Sequence, residues 1–442
     1  MREKKDLFSV LSIGFVIFLM VLVMVCSVKH IGVSTSKLGA EVEVPFMRIE
    51  LNNLSIGGLN SSEKTVKYGG NDVEISYGDR VVAYENVEIK TRGNSTWGLP
   101  KMSYQLKFNS GVSLLGFPKL KKWVLLANYL DKTQLRNDAA FYLAKMLDDD
   151  FPLYGDFVEL DINGGYLGTY YVVNKIAINK NTIDLRDNAG IIVELDNLRS
   201  FEHRCYYTSN HECLALTDAV NDEIASISMD KFAADFDKAE KAAASKDYET
   251  VEDILDMESF AKYFLVNEFA VNPDAYSASY YMYRDGEEDK IHAGPVWDFD
   301  YSFGNKAWYW AIQDDFYSPY RDLVREVEVR GGSINKSSEQ IELKPDKMIS
   351  HLLYDLMEMP EFKKVVRKIF NERMAGREKE FLQHIKMRAQ SISEAVERNN
   401  DRWAVDDMDS EFEYFLDWVE KRYLHFEEMY GGSDDNTRLP MI

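Results

Sequence analysis

Apolar and polar residues alternate at period two over four early stretches: "FMRIEL" (46–51), "DVEISY" (72–77), "VVAYENVEIKTRG" (81–93) and "MSYQLKF" (102–108). Alternation of this kind turns successive side chains to opposite faces and predicts half-buried strands. Gly-Gly, Asn-Asp and Gly-Asp pairs between them read as turns. The period then changes. "DKTQLRNDAAFYLAKML" (131–147) puts Leu135, Ala139, Tyr142 and Leu143 on one stripe, predicting a helix with Asp131 as its N-cap. Strands resume in "FVELDINGGYLGTYYVVNK", where Asn163-Gly164-Gly165 reads as a tight hairpin turn, and in "GIIVELD". Beyond Asp230, "DKFAADFDKAEKAAA" and "MESFAKYFLVNEFAVN" have helical spacing, with Pro273 placed where the second helix must stop. A short strand pair, "ASYYMYRD" and "KIHAGPVWDFD", precedes a run of amphipathic helices from about Lys347 to Tyr430. A sheet-rich half followed by a helical half is an α+β, two-lobed layout.

Ahead of this body, Leu7 to Val28 carries no charge. About 20 apolar residues rising 1.5 Å each span a hydrocarbon core of about 30 Å. Arg2, Lys4 and Lys5 precede the run, which by the positive-inside rule keeps the N-terminus cytoplasmic and sends the bulk outward. A cleaved signal peptide is the rival, with Leu38-Gly39-Ala40 its best cut. The run is longer than a signal's apolar region of about 7–15 residues, and no small-x-small site follows at once. The expected organisation is a cytoplasmic tail (1–6), a single transmembrane anchor (7–28), a linker (29–43), an extracytoplasmic domain (44–430) and a tail (431–442).

Composition narrows the partners. A formal net charge of −22 excludes the basic surface that nucleic acid selects and peripheral docking on anionic lipid. With 45% hydrophobic and 13% aromatic residues, the chain is that of a packed globular protein. It has three cysteines, of which Cys26 lies in the apolar run. Cys205 and Cys213, in "EHRCYYTSNHECLAL", suit a disulfide or two free thiols better than a zinc site with His203 and His211, because the spacings match no familiar zinc pattern.

Four stretches carry candidate chemistry. In "RGNSTWGLPKMSYQLKF", a glycine-containing turn with Arg92 leads into a strand on which Ser103, Gln105 and Lys107 share a face. Arg92, Lys107 and backbone amides there suit phosphate, although a hairpin turn and an exposed strand lysine explain the residue types equally simply. In "WVLLANYLDKTQLRN", Lys132, Arg136 and Asn137 open a helix, and polar residues at a helix start are ordinarily structural. "VNEFAVNPDAYSASYYMYRD" places Asn272, Asp274 and Ser279 between a helix and a strand. Asp274 is a candidate general base, and a capped turn is the plain alternative. In "GPVWDFDYSFGN", Asp298 and Asp300 stand one apart among apolar neighbours, where a divalent cation would offset their desolvation. Trp308, Tyr309 and Trp310 in "NKAWYWAIQDDFY" suit either a stacked ligand or a buried lid.

These stretches, together with "VELDINGGYLGTYYVVNK", resemble the spore-coat protein H (CotH) kinase-like family in order and spacing, over roughly residues 45 to 430. The resemblance implies a divergent two-lobed protein-kinase-like fold, with an N-lobe over about 44–200 and a C-lobe over about 230–430. It implies transfer of the γ-phosphoryl group of ATP to serine of a surface or spore-coat protein. Position by position, Asp274 matches the family's catalytic aspartate and Asp298 its metal-binding aspartate. Mg²⁺ or Mn²⁺ would be held by Asp298, with Asp300 sharing the metal or orienting Asp298, while Arg92 or Lys107 meets the nucleotide phosphates. Two positions depart from the pattern. Asn174 stands where the family often has glutamate, and Ser279 stands where protein kinases place a second metal-binding asparagine. The alternative function is a non-catalytic kinase-like scaffold serving as a surface binding or adhesion module.

Overall fold

The strand predictions hold, and the strands pair into a closed form. In the computed structural model, which describes residues 44–306 (except 95, 149, 150, 152 and 273), 333–336, 339–342 and 350–432, seven strands form a barrel. They are β1 (Phe46–Glu50), β2 (Tyr68–Tyr77), β3 (Arg80–Arg92), β4 (Ser103–Val112), β5 (Leu120–Leu126), β6 (Gly155–Ile162) and β7 (Gly165–Asn174). Their order is β1-β2-β3-β4-β5-β7-β6, and a parallel pairing of β1 with β6, Phe46 opposite Glu159, closes the ring. Apolar residues of the alternating stretches, Ile49, Ile89 and Leu106, fill the interior together with Trp123, Leu160 and Val172. The two-lobed expectation named a sheet-rich half and did not foresee closure. Local alternation fixes which side chains share a face, while the β1–β6 contact joins segments some 110 residues apart.

A second apolar cluster lies outside the barrel. At its centre is a helix buried nearly all round, Met257–Ala270, capped by Asp256 through Ser259 N–H at 2.8 Å. Around it pack the helix Arg136–Met146, a five-stranded sheet and the C-terminal helices. The sheet has the order β12-β11-β8-β10-β9, with β8 Ile191–Leu195, β9 Cys205–Tyr207, β10 Cys213–Ala219, β11 Tyr280–Arg284 and β12 His292–Ala293. A long helix, Ala225–Ala244, and the C-terminal helices Pro360–Arg373, Glu378–Trp403 and Met408–Tyr430 complete the helical half. The observed layout is therefore α+β, with the sheet-rich part first.

One local expectation changes, at the start of a helix, and the disulfide favoured over a zinc site is present. The helix predicted to begin after Asp131 begins at Arg136, with Leu135 in the N-cap position. Asp131 still caps it from the preceding loop: its carboxylate accepts from Arg136 N–H at 2.8 Å and from Thr133 N–H at 3.0 Å. Cys205 and Cys213 are joined by a disulfide across the β9–β10 pair, which removes both sulfurs from any zinc site. His203 meets the Asp196 carboxylate at 3.1 Å. The expected anchor (7–28), Cys26 and Trp308 to Trp310 lie outside the described residues. Among the described residues no helix is long and apolar enough to cross a membrane.

Candidate active site

Three of the sequence-predicted residues, Arg92, Asp298 and Asp300, line one polar cleft, joined there by Asn137, Glu194 and Ser279. Arg92 ends β3, and its guanidinium lies 5.4 Å from the centre of the Trp297 ring. The turn after it needs glycine at 93. With φ of +117°, a Cβ there would fall 2.6 Å from Thr96 Oγ1.

Phe299 and Asp300 are fixed from the first turn of the helix Arg136–Met146. Asn137 Nδ2 donates to Asp300 Oδ1, and Asn137 Oδ1 accepts from Phe299 N–H at 3.0 Å. One asparagine thus grips the Asp-Phe-Asp segment by its backbone and by a carboxylate. Arg136 beside it is fully buried. It pairs with Asp131, meets Glu411 of the C-terminal helix at 2.9 Å, and donates from Nε to Ser302 O at 3.0 Å. Of the residues read as structural from sequence, Asn137 and Arg136 hold the carboxylate segment, while Lys132 donates to Asp406 O at 3.2 Å. Asp298 has a left-handed backbone, φ +67°, and Ser279, whose Oγ lies 3.4 Å from Asp298 Oδ2, has φ +51°. Non-glycine residues in this region are costly and gather at functional sites.

Asp274 stands beside the cleft in the loop after the central helix. The loop is hung on asparagines: Asn272 Nδ2 donates to Asn267 Oδ1 at 2.9 Å, and Asn272 Oδ1 accepts from Asp274 N–H at 3.1 Å. Burial, then the Asp298 charge, pushes the Asp274 carboxyl up to about 7, against the pull of Arg199. Asp300 is also raised to about 7, by burial and by Asp298. Glu194 on β8 is raised to about 6 by burial and Asp196. Four carboxylates in and beside one cleft, three of them raised, crowd like charge into one place, a pattern that clusters at functional sites.

Sequence reasoning missed Arg199. Its Nε donates to Asp196 Oδ2 at 2.7 Å, and the charges of Asp274 and Asp298 both act on it. The Asn94 amide of the glycine turn lies against the same guanidinium. Asp196 is its neighbour in sequence, but Asn94, Asp274 and Asp298 come from three other segments, so no local pattern marks this arginine as part of the site.

Lys107 lies four residues along β4 from Ser103, which lines the cleft, so about 13 Å separates the two positions. It belongs to a basic surface on the barrel's outer side. Lys107 is flanked in register by Glu88 and Lys122, Lys90 opposes Gln105, and Lys175 N–H donates to Lys122 O at 3.1 Å. Burial and the neighbouring lysines push Lys175 down to about 8, and burial with Arg92 lowers Lys90. Outward positions of three strands, with Lys175 just past the end of β7, thus extend the positive charge of Arg92 away from the aspartates. Lys101, which the sequence did not single out, is buried on Thr169 O and Asn399 Oδ1, and burial holds its ammonium well below the usual lysine range. Asn174 Oδ1 accepts from Tyr154 N–H at 2.6 Å, a structural task.

Among the described residues no group of three or more histidine, cysteine, aspartate or glutamate side chains is placed to hold a metal alone. The donor set fits a hard divalent cation of another kind. Mg²⁺ is commonly bound by one or two carboxylates with substrate phosphates completing the shell, and Asp298 and Asp300 supply two beside Arg92. No curated protein matches this chain. The family model described as CotH kinase protein matches residues 89–425, well over half of the 442 residues. The chain therefore belongs to the CotH kinase family.

Proposed function

We propose that this protein is an outward-facing, membrane-anchored kinase that transfers the γ-phosphoryl group of ATP to serine of a surface or coat protein. The observation that carries this reading is the convergence of Arg92, Asp298 and Asp300 on one cleft with Asp274 beside it. On this reading the barrel is the core of an N-lobe (about 44–200) and the helical cluster that of a C-lobe (about 230–430). Bound Mg²⁺ or Mn²⁺ would supply charge neutralisation of the nucleotide phosphates. Asp298 holds the cation, and Asp300, fixed by Asn137, shares it or orients Asp298. Arg92 and the amides of the glycine turn hold phosphate oxygens, and the basic surface of Lys90, Lys107 and Lys175 draws in the polyanion. Asp274 orients the serine hydroxyl and takes its proton at the carboxylate. The shared influence of Arg199 keeps that carboxylate more acidic than burial alone would leave it.

The outward address rests on the anchor at 7–28 and gains support from the Cys205–Cys213 disulfide, since such bonds persist in oxidising compartments. The test is incubation of the full chain in detergent with γ-labelled ATP, Mg²⁺ or Mn²⁺, and a serine-rich acceptor protein. The reading predicts cation-dependent label on serine. Nucleotide binding without transfer to any acceptor, or no nucleotide binding, would favour a scaffold.

A further inference from the structure

Two glutamates that phosphoryl transfer does not use face each other away from the cleft. Glu212, at the head of β10, and Glu240, on the helix Ala225–Ala244, are both buried, 3% exposed each. The Glu212 charge acts on Glu240, both of whose carboxylate oxygens are buried without a hydrogen-bond donor among the described residues. The groups facing the pair are acidic or neutral: Asp237 one turn back on the helix, Thr208 and Asn210 from the β9–β10 turn, Ser350, and Tyr280 of β11, stacked on Tyr263 at 4.4 Å. Two carboxylates this close in an apolar setting do not both ionise, so they retain one proton between them. Burial raises Glu212 to about 7, and burial with the Glu212 charge raises Glu240 to about 8.

Asn197, whose side chain holds Glu212, also holds the loop of Asp274 through its backbone. Asn197 Nδ2 donates to Glu212 Oε2 at 2.5 Å, its Oδ1 accepts from Cys213 N–H at 2.8 Å, and its backbone N–H donates to Ser277 O at 2.8 Å. Ser350 donates its backbone N–H to Tyr276 O at 2.6 Å, while its buried hydroxyl has no hydrogen-bond partner among the described residues. Ser277 and Ala278 N–H in turn donate to Asp274 O, each at 2.9 Å.

We propose that Glu212 and Glu240, sharing one proton, are positioning residues for the Asp274 loop, acting through Asn197 on the carbonyl of Ser277. The catalytic part of this inference rests on the reading of Asp274 as the base. Loss of the shared proton leaves two buried negative charges in contact. Their repulsion displaces Glu212 and with it Asn197, so the loop loses the bond from Asn197 N–H to Ser277 O.

Hydrogen exchange on the full chain in detergent tests this without any need for turnover. Peptides covering 274–280 are followed between pH 6.5 and 9.5, corrected for intrinsic exchange, in wild type, Glu240→Gln and Glu212→Gln. Wild type should lose roughly tenfold in protection across that range. Glu240→Gln, which cannot ionise yet can still donate a hydrogen bond, should keep its protection. In activity, wild-type kcat should fall above about pH 8 with KM for nucleotide unchanged, and Glu240→Gln should remove that fall. Wild-type protection that is flat with pH overturns the proposal, as does an equal loss in whichever glutamine variant folds. A chain without kinase activity would remove the reading of Asp274 as base and leave the exchange result to decide the loop attachment.

Discussion

Asp298 occupies a backbone conformation, φ +67°, that costs a non-glycine residue on the order of 1–3 kcal/mol. It does so beside two carboxyls that its own charge raises, Asp274 and Asp300. An apoprotein has no need of either arrangement. Asp298→Ala should therefore abolish cation-dependent nucleotide binding while leaving the melting temperature unchanged or higher, because it removes a repulsive charge. Titration calorimetry and a thermal melt check this, and retained cation-nucleotide affinity would remove Asp298 from the metal site. The same carboxyls set a pH dependence. Asp274 and Asp300 sit at about 7, above the ordinary value of 3.8, so the folded chain holds extra protons there. The stability they lend is present at low pH and is lost as pH rises from about 4 towards about 7. Cation binding needs the ionised forms and runs the other way. Divalent affinity should fall as pH drops from about 8 to about 6, with proton release on binding at pH 7. Calorimetry in two buffers of different ionisation enthalpy measures that release, and its absence would contradict the assignment.

At the scale of elements, the helix Arg136–Met146 is the part that makes the site rigid. Asn137 on its first turn holds both Asp300 and the Phe299 amide. Asn137→Ala should leave Asp298 in place and weaken cation-nucleotide binding by roughly tenfold, with kcat falling as well, since a carboxylate freed of its hydrogen bond shifts the metal. Asn137→Asp should be worse than alanine, by adding a charge against Asp300. Equal kinetics in wild type and Asn137→Ala would reduce this residue to helix capping. The helix itself was legible from its stripe of Leu135, Ala139 and Leu143, and the strands from their alternation. The role of its first turn was not, because the partners of Asn137 lie some 160 residues away. Arg199 escaped for the same reason, and barrel closure depended on a pairing of distant strands. The aspartates were legible because burying a carboxylate among tryptophan and phenylalanine conflicts with local physical preference, and such conflicts mark functional sites.

For the whole molecule, charge distribution is the telling property. The chain carries a net −22, yet Arg92, Lys90, Lys107, Lys122 and Lys175 gather on one outer surface of the barrel. Lys175 is depressed to about 8 by burial and its neighbours, so its charge is unfavourable in the folded chain without a bound anion. Lys175→Met should raise stability at pH 7, weaken ATP binding by roughly tenfold, and flatten the dependence of that binding on salt. Unchanged affinity and salt slope would separate the basic surface from the nucleotide. The central claim remains that Asp274 serves turnover while Asp298 serves the cation. The most direct measurement is phosphoryl transfer and cation-nucleotide affinity, taken together, for wild type and Asp274→Asn. Asparagine can hydrogen-bond the serine hydroxyl but cannot take its proton. The predicted result is unchanged affinity with transfer lowered by about 10²–10⁴-fold. Transfer by Asp274→Asn at the wild-type rate, or an affinity that falls in step with transfer, would contradict it.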